Sequence, residues 1–431
     1  MLPYLAALCM LGAAVTPRRA FYTGLFTGLA CIAPQLLFFW SIFGPVAVAL
    51  WIILAIWTGF FVLLLRLIRA AWNYPLALLA APFLWTGLEY FRSELYYLRF
   101  SWLNVGFAFQ NSSLIRIFGV YGAGFIAMCA VVAVLLIPGK RRLIAASLSL
   151  AVIALFALAQ GRANRSAARG PLIAGIQLEH ASQTEILTAL TTAVSLHPDA
   201  DLFMLSEYSL SSPPTPELAA WCRNHQRYLL LGGIQPDQSQ LHYTNTAFVI
   251  GPAGETLFSQ GKSVPIQFFS DGLPAADQHL WDSPWGKIGI CICYDLSYSR
   301  VTDRLIAQGA QALLVPTMDL ESWGGHEHRL HALVAPARAA EYAVPIVRIC
   351  SSGISQIVRS DGTIAATAGF PGQQEIIANR IDLSPRPHLP IDRWLAPASV
   401  GITGTLILLI LAKKLRGRFW RQDLTAPRSL P

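Results

Sequence analysis

Gly289-Ile290-Cys291-Ile292-Cys293-Tyr294-Asp295 reads as a short apolar β-run ending on a cysteine, with Trp285-Gly286-Lys287 as a turn-like lead into it. Two earlier runs end in the same manner. Leu205-Ser206-Glu207-Tyr208 closes one, and Gln260-Gly261-Lys262 follows another. A Glu, a Lys and a Cys thus stand at strand ends, 55 and then 31 residues apart. Such a set has nucleophilic chemistry. A cysteine attacks as its thiolate, which a neighbouring cation or base favours. Lys262 supplies the positive charge for the thiolate and for an oxyanion, and Glu207 takes the thiol proton if partial burial raises its pKa. The backbone N–H of Tyr294 is the natural second oxyanion donor. Each residue alone has a plainer reading: a buried small hydrophobe for the Cys, solvated loop residues for the Glu and the Lys. Their joint spacing favours the catalytic one. Cys291 is the competing nucleophile, since in a strand it shares a face with Cys293.

Outward from this stretch, the 431-residue chain divides by composition. It is 54% hydrophobic and only 13% charged, against roughly a quarter charged in an average soluble domain. Residues 1–160 are nearly continuous apolar runs, and 170–390 read as a globular domain. The net charge of +8 comes from short Arg/Lys clusters at the ends of apolar runs, which argues for membrane orientation. No basic stripe with interleaved aromatics is present, so no nucleic-acid partner is expected. Seven cysteines without regular spacing are no disulfide framework. The N-terminus lacks a cationic n-region, so the first run is read as a retained membrane helix.

Spanning a bilayer takes about 20 apolar residues. Candidate helices are 2–16, 21–43, 45–65, 73–91, 114–137, 143–160 and 396–412. The expected organisation is an N-terminal transmembrane region of about six helices (1–165), a catalytic domain (170–384), a C-terminal transmembrane helix (394–414) and a cytoplasmic basic tail (415–431). Glu89 and Arg92, three apart on one face, read as a charge pair or a water-facing edge. Arg18-Arg19, Arg66 with Arg69, Lys140-Arg141-Arg142 and the tail from Lys413 fall on one side if seven helices alternate. The positive-inside rule makes that side cytoplasmic and the globular domain extracytoplasmic, with Arg162, Arg165 and Arg169 the cluster on the other side. Within the domain, strand-like runs at 171–178, 201–206, 228–234, 245–250, 286–293, 311–316, 345–350 and 354–359 alternate with helix-like stretches at 182–196, 215–226, 296–309 and 326–343. That is an α/β pattern. His326-Glu327-His328-Arg329-Leu330-His331 is not the H-E-x-x-H zinc helix. His328 and His331 share a face without a third ligand, so the segment is read as site rim or helix surface, and no metal or cofactor is expected.

The motifs resemble those of the bacterial apolipoprotein N-acyltransferase family, the membrane-embedded branch of the nitrilase (carbon–nitrogen hydrolase) superfamily. Trp85-x-x-x-Glu89-x-x-Arg92, Phe100-Ser101-Trp102-x-x-x-Gly106, Gly119-Val120-Tyr121-Gly122, Ile292-Cys293-Tyr294-Asp295 and Arg338-Ala339-Ala340-Glu341-x-x-x-Pro345-x-x-Arg348 carry the likeness in order. The resemblance implies a nitrilase-like α-β-β-α sandwich between transmembrane helices. It implies Glu207, Lys262 and Cys293 as the triad, and a ping-pong transfer of an acyl chain from a membrane phospholipid to a diacylated apolipoprotein by a monomeric inner-membrane enzyme. Asp295, Trp323, His331 and Glu341 are supporting or substrate-rim candidates. Tyr96, Tyr97, Trp102 and Trp281 are candidates for an entry at headgroup level, and 263–283 for a lid. Three segments depart from the family pattern. Leu205-Ser206 replace a Trp-Pro, Ser263–Phe269 lack a Glu that normally follows the Lys, and Met318–Gly324 replace an Asn-Asp-Ala-Trp-Phe-Gly run. The alternative reading is a membrane-tethered nitrilase-like amidase, or an acyltransferase with a different acceptor; a third is a catalytically silent scaffold.

Overall fold

The computed structural model describes residues 1–13, 16–110, 112–139, 141–142, 144, 146–149, 151, 168–369, 372 and 374–425. The chain forms two compact units. One comprises Met1–Arg99, Tyr121–Leu155 and Ile391–Pro431, and the other Phe100–Val120 with Phe156–Pro390.

The first unit is helical: α1 (Leu2–Leu11), α2 (Pro17–Gln35), α3 (Phe38–Phe43), α4 (Val46–Ala71), α5 (Tyr74–Tyr90), the later part of α6 (Ser113–Leu136) and a C-terminal helix (Asp392–Thr425). Two starts have a clear chemical cause. Thr16 Oγ1 accepts from the Arg19 N–H at 3.2 Å, and Asn73 Oδ1 from the Leu76 N–H at 2.8 Å, each just before a proline that loses nothing in a first turn. Among the described residues, three helices are long and apolar enough to cross a membrane: Val46–Ala71, Ser113–Leu136 and Asp392–Arg416. The expected single span 21–43 is broken. Pro34 removes a helical N–H, α2 stops at Gln35, and α3 is a separate six-residue helix. The candidate helix 143–160 and Arg162 and Arg165 lie largely or wholly outside the described residues. α2 packs closely on α4 because Gly28 has no Cβ; one would sit 2.8 Å from Thr58 Cβ. Glu89 and Arg92 are both buried, which excludes a water-facing edge.

Among the described residues the second unit holds twelve strands: β1 (Ala168–Ile176), β2 (Leu202–Met204), β3 (Tyr228–Pro236), β4 (Tyr243–Ile250), β5 (Thr256–Gly261), β6 (Leu280–Ser283), β7 (Gly286–Ile290), β8 (Ala312–Thr317), β9 (Ile346–Cys350), β10 (Gln356–Val358), β11 (Ile364–Thr367) and β12 (Ile376–Leu383). They form two six-stranded sheets, ordered β12-β1-β2-β3-β4-β5 and β11-β10-β9-β8-β7-β6. One buried cluster joins Ile173, Leu202 and Leu230 of the first sheet to Ile288, Leu314 and Val347 of the second, so the sheets pack face to face. On the first sheet's outer face, α7 (Gln183–Leu196) and α8 (Pro216–His225) bury Ile186, Leu190, Leu218 and Trp221. The segment 326–343, expected as one helix, is two, α10 (Gly325–Ala332) and α11 (Val334–Tyr342), because Pro336 has no N–H to carry the helix across. A nine-residue helix, α9 (Ser299–Ala307), follows the nucleophile candidate and buries Leu305. The result is the expected α-β-β-α sandwich.

Candidate active site

Four strand ends converge. The chain leaving β2 carries Glu207, that leaving β5 carries Lys262, that leaving β7 reaches Cys293 after two extended residues, and that leaving β8 carries Met318 and Asp319. The expected strand 286–293 stops at Ile290, and Cys293 begins a short 3-10 helix to Ser297. Its φ of 50° lies in the left-handed region. For a non-glycine residue such backbone costs of order 1–3 kcal/mol and persists only where surrounding packing enforces it. Tyr208 (φ 52°) and Phe268 (φ 70°) are strained likewise, next to Glu207 and in the loop after Lys262. Gly232 of β3 makes room for the Glu207 turn, since a Cβ there would lie 2.6 Å from Glu207 Cα.

Glu207 and Lys262 are buried and meet directly, Nζ to Oε1 at 2.8 Å. Glu207 Oε1 also accepts from Asn245 Nδ2 at 2.6 Å, and Oε2 from the Met318 N–H at 2.8 Å. A second carboxylate completes the cluster: Asp271 Oδ2 lies 2.7 Å from Lys262 Nζ, and its Oδ1 accepts from Asn245 Nδ2 and the Tyr208 hydroxyl. Asp271 thus supplies Lys262 with a second carboxylate, which Ser263–Phe269 does not contain. Burial pushes the Glu207 carboxyl up, against the pull of Lys262. Burial alone would lower Lys262, yet Glu207, Cys293 and Asp271 hold it well above its ordinary value, so it is a cation. The Cys293 thiol is pushed up by burial and by Glu207, which Lys262 opposes. It therefore rests protonated, its Sγ donating to the Met318 carbonyl at 3.8 Å, and needs a base before it attacks. The cluster contains both.

Behind this trio lies a buried polar network. Asp295 accepts from the Val264 N–H at 2.7 Å, the Ser263 N–H at 3.1 Å and the Ile292 N–H at 3.2 Å, tying the segment after Lys262 to the nucleophile turn. Burial lifts its pKa from 3.8 to about 6, opposed by Lys262 and these N–H donors. Asp319 holds the Arg348 guanidinium and accepts from His331 Nδ1 at 2.8 Å. Although burial works the other way, Arg348 and His331 keep Asp319 below the ordinary carboxylate range. Burial drives His331 down to about 4, so its ring is neutral.

The site candidates separate clearly. Glu207, Lys262, Cys293, Tyr294, Asp295 and His331 come together, with the Tyr294 ring edge-on to Trp102 at 5.8 Å and Trp102 stacked on His331 at 4.5 Å. Trp323 stands at the rim against Phe269, centroids 5.9 Å apart. Glu341 is elsewhere. It braces Arg338 and accepts from the Val120 N–H at 3.0 Å, while Arg338 donates to the carbonyls of Leu296 and Ser297. Trp281, a candidate for a headgroup-level entry, is buried in the core between the sheets with Trp285 and Tyr228, because the inner face of β6 needs a large apolar side chain. The lid candidate 263–283 is pinned in its middle by Asp271, leaving Phe268 and Phe269 exposed at its tip. The metal question also changes. Asp319 supplies the carboxylate missing from the histidine segment, and Cys293, Asp319 and His331 offer ligand-type atoms within 4.8 Å of one another. Asp319 is nonetheless committed to Arg348 and His331, and His328 Nε2 is paired with the Leu320 carbonyl.

Known proteins share both parts of this sequence. The family description "Carbon-nitrogen hydrolase" matches residues 188–385, and "Apolipoprotein N-acyltransferase N-terminal domain" matches 1–135. The chain belongs to the apolipoprotein N-acyltransferase family, within the nitrilase superfamily. An apolipoprotein N-acyltransferase of Geobacter metallireducens is 26% identical over 429 residues, 84% of this chain and 81% of that protein. Omega-amidase NIT2-B of Xenopus laevis is 28% identical over 189 residues, 38% of this chain and 66% of the amidase, a match confined to part of the family member. The crystal structure of Saccharomyces cerevisiae Nit3, of branch 10 of the nitrilase superfamily, is similar over 51% of this chain and 93% of its own, at 21% identity and a TM-score of 0.45.

Proposed function

We propose that this apolipoprotein N-acyltransferase family member moves a fatty acyl chain from a membrane phospholipid, through a thioester on Cys293, to the α-amino group of a diacylglyceryl-cysteine at a lipoprotein N-terminus. The observation that carries the reading is a buried cysteine beside an ion-paired lysine and two carboxylates, in a chain whose N-terminal part matches the family's membrane domain. In the first half-reaction Glu207 takes the Cys293 proton, the sulfur attacks the ester carbonyl, and Lys262 with the Tyr294 N–H stabilises the oxyanion. The ester C–O bond breaks, Glu207 returns the proton to the glycerol oxygen, and the acyl group stays on sulfur. The amine then attacks the thioester and the thiol is regenerated. Three apolar helices fit substrates that arrive by lateral diffusion, their acyl chains staying in lipid. A site buried to this degree limits thioester hydrolysis.

In this reading the enzyme lies in the inner membrane as a monomer, with the catalytic unit on the extracytoplasmic face and the basic C-terminus in the cytoplasm. The test incubates purified full-length protein with phospholipid and a diacylated lipopeptide. Expected are a mass gain of one acyl chain on the peptide and a trapped acyl thioester on Cys293, both lost in Cys293→Ala. Release of ammonia from small amides without peptide acylation would overturn the assignment in favour of an amidase.

A further inference from the structure

The proton balance of that transfer leaves one proton without a place. In the first half-reaction the sulfur loses one proton and the leaving glycerol oxygen gains one, so Glu207 ends as it began. In the second, the acceptor arrives as an ammonium with three protons. The C–N bond forms and the C–S bond breaks. One proton stays on the amide nitrogen and one returns through Glu207 to sulfur. The third needs a different acceptor, because Glu207 carries one proton at a time and Lys262 is already full.

We propose that His331, oriented by Asp319, takes this surplus proton. The inference rests on the acyl-transfer reading above. The Nδ1 of His331 lies 2.8 Å from Asp319 Oδ1, which fixes the tautomer with the proton on Nδ1 and the lone pair on Nε2. The ring is 2% exposed, and Nε2 has no hydrogen-bond partner among the described residues. Most buried polar atoms carry a partner, and this open nitrogen belongs to a ring that neighbours the Cys293 thiol. The ring also lies near the reacting atom: one ligand-type atom each from Cys293, Asp319 and His331 stands within 4.8 Å of the other two. Its charged surroundings are Asp319 after β8, Glu327 on its own helix, Arg348 on β9, Lys262 after β5 and the Cys293 thiol, with Trp102 stacked on its face. Moving a proton from a buried ammonium to this ring shifts an existing positive charge and creates none. Asp319, ionised and already facing Nδ1, stabilises the imidazolium that forms. The N–H bond of the ammonium breaks, an N–H bond at Nε2 forms, and the proton leaves to solvent when the product departs.

The two half-reactions are measured separately on the full-length enzyme with His331→Gln, comparing the diacylated lipopeptide with hydroxylamine, a nucleophile that is already neutral at pH 7. Expected are unchanged formation of the Cys293 thioester, loss of transfer to the lipopeptide by about 10²-fold or more, and retained transfer to hydroxylamine. Equal loss with both nucleophiles, loss of thioester formation, or no loss would each overturn the proposal. If the variant does not fold, the wild type decides. Its kcat/KM for the lipopeptide holds below the α-amine pKa of about 7.7–8.0 if the site itself takes the proton, and falls about tenfold per pH unit if only neutral amine is used. Failure of the wild type to form any Cys293 thioester would strike the acyl-transfer reading instead.

Discussion

At the scale of single residues, the lysine is the pivot. A buried ammonium is stable here only because two carboxylates face it at 2.7 and 2.8 Å. Removing one partner of a buried pair costs about 3–5 kcal/mol. Asp271→Ala is therefore expected to lower the thermal midpoint of the full-length protein and to slow thioester formation by about 10²-fold, with Asp271→Glu recovering part of both. Acyl-enzyme mass spectrometry over time checks this. Asp295 yields a pH-dependent expectation. Its folded pKa is raised from 3.8 to about 6 by burial, so the folded state holds the proton more tightly than the unfolded chain. Its contribution is full below about pH 4 and is lost as pH rises through about 6. Across that window the wild type should lose about 3 kcal/mol relative to Asp295→Asn. The variant's deficit in denaturation midpoint is thus largest at low pH and shrinks toward neutrality. Glu207, Lys262 and Cys293 were legible because each closes an apolar run. Asp271 and Asn245 were not. Asp271 sits mid-loop without periodicity, and only the missing Glu after Lys262 hinted that a carboxylate had to come from elsewhere.

Whole elements show a different pattern of legibility. Eight strands of the sandwich were anticipated by range, and β5 as the run that Lys262 closes; β6, β11 and β12 were given no range. All three are sheet edges. Inner strands are covered on both faces and read as continuous apolar runs, whereas an edge strand carries polar residues that discourage further pairing. Arg380 and Asp382 on β12 conceal that strand in this way. Helix ends were misjudged where a proline interrupts an apolar run, at Pro34 and Pro336. The contact between β3 and the Glu207 turn offers an element-scale test. Gly232→Ala places a methyl group 2.6 Å from Glu207 Cα, so the strand and the turn cannot keep their spacing. Thioester formation should fall by about tenfold or more while the far-ultraviolet dichroism of the helices is retained.

For the molecule as a whole, the orientation proposed from the basic clusters is one that a reporter can read. A fluorescent protein fused after the C-terminal helix should be active in the cytoplasm, and a periplasm-dependent phosphatase at the same point inactive. The reverse pair of results would place the catalytic unit in the cytoplasm and remove its access to extracytoplasmic lipoproteins. Composition separated an apolar N-terminal part from a globular one, and motifs pointed to the sandwich. The reassignment of a short segment was invisible to both, because Phe100–Val120 reads as a loop followed by the start of the candidate helix 114–137.

That segment is the feature with the widest reach. Ser101 and Trp102 donate to the carbonyl and the hydroxyl of Ser297, four residues beyond the nucleophile, and the Arg116 carbonyl is paired with His388 near the far end of the same unit. The ribosome makes this piece well before the remainder of the fold it completes, so it must wait for partners some two hundred residues downstream. A soluble fragment excised at the apparent edges of the globular part would lack a wall that its catalytic turn leans on. Supplying the early piece on a separate co-expressed chain is then the natural way to restore it.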